Sequence, residues 1–411
     1  MHSKQQLIGL TAIAAVVFAL LLPCPLLAAD AEKVLHSFTG GDGSIPYPAV
    51  IFDAKGNLYG TTALGGASGA GAVFELIPSN GKWTEKVLHS FNGQDGAEPF
   101  ASLIFDAKGN LYGTTEAGGA NGDGTVFELT SSKGSWTETT LYNFNGQDGN
   151  EPEGGVVFDA KGNLYGTTTL GGTYDDGTVF ELTSSGGKWT EKVLHNFNPS
   201  GKDALFPEAS VVFDSNGNLY GTTYGGGANG AGTVFELTPT SKGAWTAKVL
   251  HSFNLNGKDG IVPEAALIFD AKGNLYGTTS AGGTNNEGTV FELTPSNGKW
   301  TEKVLYSFSH SGGSVLFSGI TFDAKGNLYG STYAGGKYSY GTVFELTPAN
   351  GKWAEQVLHS FDPNNGDGLL STAGVAFDKK GNLYGTTYEG GASGNGVVFE
   401  ISPQTDSLTI P

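Results

Sequence analysis

The chain has 411 residues, of which 66 are glycine and only 15 % are charged. Glycine at that level without a three-residue period excludes a collagen-like rod and indicates many tight turns between short strands. The net charge is −18 and lysine supplies all 22 basic residues, so a phosphate backbone would be repelled and no guanidinium fork is present to grip it; nucleic acid is not an expected partner.

In chain order, residues 1–29 read as a secretory signal. Lys4 gives the positive start, Leu7 to Leu22 form an apolar run shorter than a membrane span, and Pro23 to Ala29 end in small residues before Asp30. The single cysteine, Cys24, lies in this leader, so the mature chain carries no disulfide and no thiol ligand. No later segment is apolar enough to span a bilayer. The expected location is secreted, periplasmic or at the cell surface.

The rest of the chain repeats. Phe-Asp-x-x-Gly-Asn-Leu-Tyr-Gly occurs seven times, with its Phe at Phe52, Phe105, Phe158, Phe213, Phe269, Phe322 and Phe377. The spacings are 53, 53, 55, 56, 53 and 55 residues. Each unit predicts four strands. In the second unit these are Ala101 to Asp106, Leu111 to Thr115, Thr125 to Thr130 and Trp136 to Phe144. A turn at 107–110, a glycine loop at 118–124 and a turn at 131–135 separate them. In the equivalent outer segment of the first unit, alternation predicts that Trp83, Val87 and Phe91 share one face. Thr84, Lys86 and Ser90 take the other, with Leu88 the only apolar residue among them.

Four antiparallel strands per unit are a propeller blade. The last unit stops after its third strand, at 397–402. The missing fourth strand stands at the other end, as Glu32 to Phe38. The reading is therefore an all-β, seven-bladed β-propeller over residues 30–402. An N-terminal strand completes the last blade, and 403–411 form a C-terminal tail. Closure hides strand edges that would otherwise aggregate. It also sorts the loops. The turns at 107–110 and 131–135 and their equivalents fall on one face. The loops entering the innermost strands and the glycine loops fall on the other, and these vary between units.

The run Gly-Asn-Leu-Tyr-Gly-Thr-Thr, then Gly-Gly, then Gly-Thr-Val-Phe-Glu-Leu-Thr resembles the GloVer tandem-repeat family of exported bacterial proteins. Here Gly109 to Thr115, Gly118-Gly119 and Gly124 to Thr130 carry it. The resemblance implies an extracellular or cell-surface repeat protein and transfers no catalytic residue.

The candidate site lies on the variable face. The position five before each motif Phe reads Tyr47, Phe100, Glu153, Glu208, Glu264, Phe317 and Thr372 around the ring. Acids facing aromatics suit a sugar or a cationic ligand. Tyr333, Tyr338 and Tyr340 of one glycine loop join Tyr47, Phe100, Phe317 and the three glutamates as ligand-binding candidates. Glu153, Glu208 and Glu264, with His310, are the only acid/base set on offer for a glycoside hydrolase or polysaccharide lyase. No catalytic motif is present, and a non-enzymatic scaffold binding an extracellular glycan or protein is the preferred reading, as a monomer. Asp95, Asp148, Asp259 and Asp367 sit in Asp-Gly pairs and offer oxygen ligands for Ca2+. The spacing fits no calcium motif, so a plain turn is preferred and no cofactor is expected. His36, His89, His195, His251 and His359 share one outer-strand position and read as packing, as do the repeated Tyr and Trp. The Asp53 and Glu75 positions read as acceptors for backbone N–H groups in the turns.

Overall fold

In a computed structural model, residues 32–200 and 203–402 are described, and they form seven four-stranded antiparallel sheets around an axis. The leader, 1–29, and the tail, 403–411, lie outside the described residues. The described residues contain no helix. Blade one is built from Ile51–Phe52, Leu58–Thr62, Ala72–Ser79 and Lys82–Ser90. The others repeat it, and blade seven takes Glu32–Ser37 as its outermost strand beside Val397–Ile401.

The repeat motif follows from local chemistry. Asp53 accepts from the backbone N–H of Lys55 and of Asn57, at 2.8 and 2.9 Å, which fixes the turn between the first two strands. The same pair of bonds recurs at Asp106, Asp159, Asp214, Asp270, Asp323 and Asp378. Glu75 plays a different part from the one the sequence suggests. It accepts no turn N–H; it accepts from the Tyr59 hydroxyl at 2.7 Å and the Asn57 side chain at 2.9 Å. The glycine of Leu-Tyr-Gly is required by packing, since a Cβ on Gly60 would lie 2.6 Å from Cζ of Phe74.

Between blades, aromatic side chains form two sets of pairs, one pair of each set at every interface. Phe38 meets Phe74 edge-on, and the equivalent pairs through Phe361 and Phe399 have centroids 4.9 to 5.4 Å apart. The motif Tyr meets the motif Phe of the next blade at 5.0 to 5.2 Å, Tyr384 to Phe52 included. Each such pair adds about 0.5–1.5 kcal/mol beyond the burial of its area.

One sequence expectation fails here. Trp83 and Phe91 do not share a face. Trp83 packs into the interface with blade seven, beside Tyr384, and Phe91 packs into the interface with blade two. A bulge is the cause. Phe74 pairs with Val87 but Val73 pairs with His89, so Leu88 is the extra residue and the alternation flips there. Leu88, placed on the polar side by simple alternation, is buried beside Phe91. The same bulge occurs in all seven outermost strands.

Candidate functional site: the axial cavity

The innermost strands end at the channel, and their placement is set by a loop of unusual backbone. Ile45, Glu98, Glu151, Phe206, Val262, Val315 and Leu370 occupy one repeat position, and all have φ between 56 and 60°. For branched residues such as Ile45, Val262 and Val315 this is an outlier. It is held from both sides. The N–H of Ile45 donates to the Asn395 carbonyl in the neighbouring blade at 3.0 Å, and its own carbonyl accepts from Ala63 N–H at 2.8 Å. Surroundings that over-determine such a conformation are what allow it to persist.

Just beyond this residue, the first Thr of each Gly-Thr-Thr reaches across to the next blade. Thr114 donates to the Gly154 carbonyl at 3.1 Å, Thr167 to Ala209 at 2.9 Å and Thr222 to Ala265 at 2.9 Å. Thr386 closes the circle on Pro48 at 2.9 Å. Small residues line the channel at this level. The side chains one residue earlier stand at its mouth, held by backbone on both sides.

These side chains line a single cavity of about 510 Å³, which holds Tyr47, Phe100, Glu153, Glu208, Glu264, Phe317 and Thr372 together. Tyr47 and Phe100 meet edge-on at 5.0 Å. Glu116, which directly follows the strand Leu111–Thr115 of blade two, also lines it. One carboxylate oxygen each from Glu116, Glu151 and Glu153 lie within 4.8 Å of one another. Among the described residues, no lysine lines the cavity. Within this lining the acids therefore face each other without a compensating side-chain cation. Burial, then Glu208, pushes Glu153 up to about 8. Burial, then Glu264, pushes Glu208 up to about 8. Burial raises Glu264 to about 7, against a stabilising 3.2 Å bond from Ser280. Burial, then Glu98, raises Glu116 to about 7. Near neutrality this mouth presents carboxyl groups in both protonation states, hence both hydrogen-bond donors and acceptors.

The remaining candidates divide. Tyr333 lies against Phe317, ring centroids 5.2 Å apart, and so borders the mouth. Tyr338 is turned to the outer side, with Lys337 Nζ 4.7 Å from its ring centroid. Tyr340 packs against the core between blades six and seven. His310 is not among the cavity residues; its Nε2 is 3.1 Å from Ser339 Oγ on an exposed loop.

The Asp-Gly loops hold a feature that sequence reading missed. Asp95, Asp259 and Asp367 each face the outer-strand histidine at 3.2, 3.2 and 2.7 Å. His36 and His195 face Asp42 and Asp203 likewise, at 3.1 and 3.4 Å. Asp148 accepts instead from Tyr142, at 2.6 Å. The two repeated positions lie only six to eight residues apart, and their joint recurrence was the available signal.

No curated protein matches the chain. Among solved structures, it is similar to the extracellular domain of a one-component system from B. thetaiotaomicron. That match has TM-score 0.55 at 11 % identity, over 90 % of this chain and 40 % of that one. The chain thus spans about two fifths of that protein's length. It is also similar to a structure described as a 6-phosphogluconolactonase from Bacteroides uniformis, with TM-score 0.50 at 16 % identity, over 80 % and 88 % of the two chains. A puromycin-hydrolyzing peptidase from Mycobacterium tuberculosis matches with TM-score 0.51 at 11 % identity, over 92 % and 55 %. At such identities the likeness is one of fold. The sequence pattern of the Gloeobacter/Verrucomicrobia repeat matches three overlapping stretches, 25–212, 137–322 and 190–399. Together these stretches span residues 25–399, and the chain belongs to the Gloeobacter/Verrucomicrobia repeat family.

Proposed function

We propose that the protein is an exported, non-enzymatic scaffold that binds an extracellular glycan at the mouth of its axial cavity, acting as a monomer. The observation that carries this reading is the convergence of the one strongly variable inner-strand position on a single cavity. Aromatic edges and carboxyls of mixed protonation suit a polyhydroxylated ligand, whose hydroxyls both donate and accept. Support for export is the leader at 1–29 and the family resemblance. A protein partner is the other class that a loop face of this kind accommodates.

The test is a glycan-array screen of the mature chain, followed by the triple change Glu153→Gln, Glu208→Gln and Glu264→Gln. Affinity for the glycan found is expected to fall at least tenfold, about 1.4 kcal/mol. The melting temperature is expected to hold or rise, because buried like charges are removed. Unchanged affinity in the triple variant refutes the site. A second reading, a glycoside hydrolase or polysaccharide lyase, draws on one observation. Glu153 and Glu208, raised to about 8, would stay protonated at neutral pH as general acids. Release of new chain ends from the bound glycan by the native chain, and not by the triple variant, would establish it.

A further inference from the structure

The outer rim carries a second kind of cluster, set between blades. His251 stands in the outermost strand of blade four, Asp259 in the loop that follows, and Glu302 in the outermost strand of blade five. One ligand atom from each lies within 4.8 Å of the other two. The same residue types at the same repeat positions form three more clusters: His36, Asp42 and Glu85; His89, Asp95 and Glu138; and His359, Asp367 and Glu32.

Hydrogen bonding leaves the first of these clusters incomplete. The Asp259 side chain is only 5 % exposed. Its Oδ2 meets His251 and Asn254, yet its Oδ1 is buried with no partner. Oε1 of Glu302 is buried and unpartnered as well. Orphaned carboxylate oxygens of this kind are costly unless something cationic completes them. Glu191 and Glu355, at interfaces without the full triad, carry the same orphaned Oε1, so the discriminating atom is Asp259 Oδ1.

We propose that His251, Asp259 and Glu302 bind a divalent transition-metal ion, Zn2+ being the best match, and that the three repeat clusters do the same. One imidazole nitrogen with two carboxylates is a zinc-type donor set, whereas Ca2+ takes six to eight oxygens. A tetrahedral ion about 2.0–2.1 Å from its ligands holds them about 3.3–3.4 Å apart. The His Nε2 to Asp Oδ2 separations of 3.1, 3.2 and 3.2 Å in three of the clusters are hydrogen-bond distances, and His195 keeps a like separation of 3.4 Å from Asp203 without the glutamate, so the third carboxylate is what distinguishes the proposed sites. Water takes the fourth position. Each ion would clamp two neighbouring blades, and the one at Glu32 would pin the strand that closes the ring. The chain supplies its own comparisons, because Tyr142 and Tyr306 replace the histidine at two interfaces and Ala247 replaces the glutamate at a third.

The experiment is equilibrium dialysis of the tag-free, chelator-stripped chain against Zn2+, with metal counted by elemental analysis and melting temperature followed in parallel. Four Zn2+ per chain are expected, with a raised melting temperature. Glu302→Gln is expected to lower the count to three. Ala247→Glu, which supplies the missing carboxylate beside His195 and Asp203, is expected to raise it to five. Absence of Zn2+ binding at micromolar free ion, or a count unchanged in both variants, overturns the proposal. Equal stabilisation by Ca2+ overturns the choice of metal class. Should Glu302→Gln fail to fold by circular dichroism, the Ala247→Glu count alone decides.

Discussion

Gly277 shows how a single atom sets the blade. A Cβ there would lie 2.6 Å from Phe291 Cζ and 2.8 Å from Leu267 Cδ2, inside a packed interblade core. Gly277→Ala is expected to destabilise by about 1–3 kcal/mol through overpacking, read as a lower urea midpoint with unchanged slope. An unshifted midpoint would remove close packing as the reason for the motif glycine. The residue roles that sequence made legible are those with a local cause. Asp53 and its equivalents bind turn amides two and four residues on, and the Asp-x-x-Gly-Asn string suffices to say so. Glu75 was misread because its partners are side chains, Asn57 of the turn and Tyr59 of another strand. The His–Asp rim pairs were missed because each residue, taken alone, has an ordinary explanation.

Among the elements, the bulged outermost strand is where alternation misleads. Reading Trp83, Val87 and Phe91 as one face is correct arithmetic for a regular strand. One extra residue at Leu88 sends Trp83 and Phe91 to opposite interfaces of the blade. Nothing in the local sequence marks that bulge, since Val-Leu-His contains neither glycine nor proline. The closing strand, by contrast, was legible because counting strand motifs requires no geometry. Its register is Glu32 with Ile401 through Ser37 with Val397. Deleting residues 32–37 exposes the edge of Val397–Ile401 and uncovers Val398 of the blade seven–blade one core. The deleted protein is expected to aggregate on size-exclusion chromatography. A soluble monomer of unchanged melting temperature would contradict the role of this strand.

For the whole molecule, the buried glutamates set a pH dependence. Burial raises Glu191 and, at the cavity, Glu153 and Glu208 to about 8. Glu85, Glu138 and Glu302 at the rim, and Glu116 and Glu264 at the mouth, rise to about 7. A glutamate raised above its unfolded value binds more protons in the folded state. Its contribution is complete below about pH 4.5 and is lost as pH climbs through 7 to 8. Burial lowers His36 and His89, so these oppose acidification below about pH 6.5. The melting temperature, measured by calorimetry in chelator, is therefore expected to fall by several degrees from pH 6 to pH 8.5. A flat or rising profile would show that these carboxyls are solvated in the folded protein. The blade count and the closure of the ring were legible because one unit is written seven times, whereas the bulge in each outermost strand was not. The cavity was half legible, since position in the repeat predicted which residues meet while the shielding that shifts their titration arises from their meeting.

The pairing of Glu32 with Ile401 has a mechanical consequence. The two ends of the propeller leave the ring side by side, from adjacent antiparallel strands. A load drawn between them pulls across the strand pair, so the backbone bonds of the seam break in succession and never share the force. The ring, closed against every lateral edge, opens at a single zip.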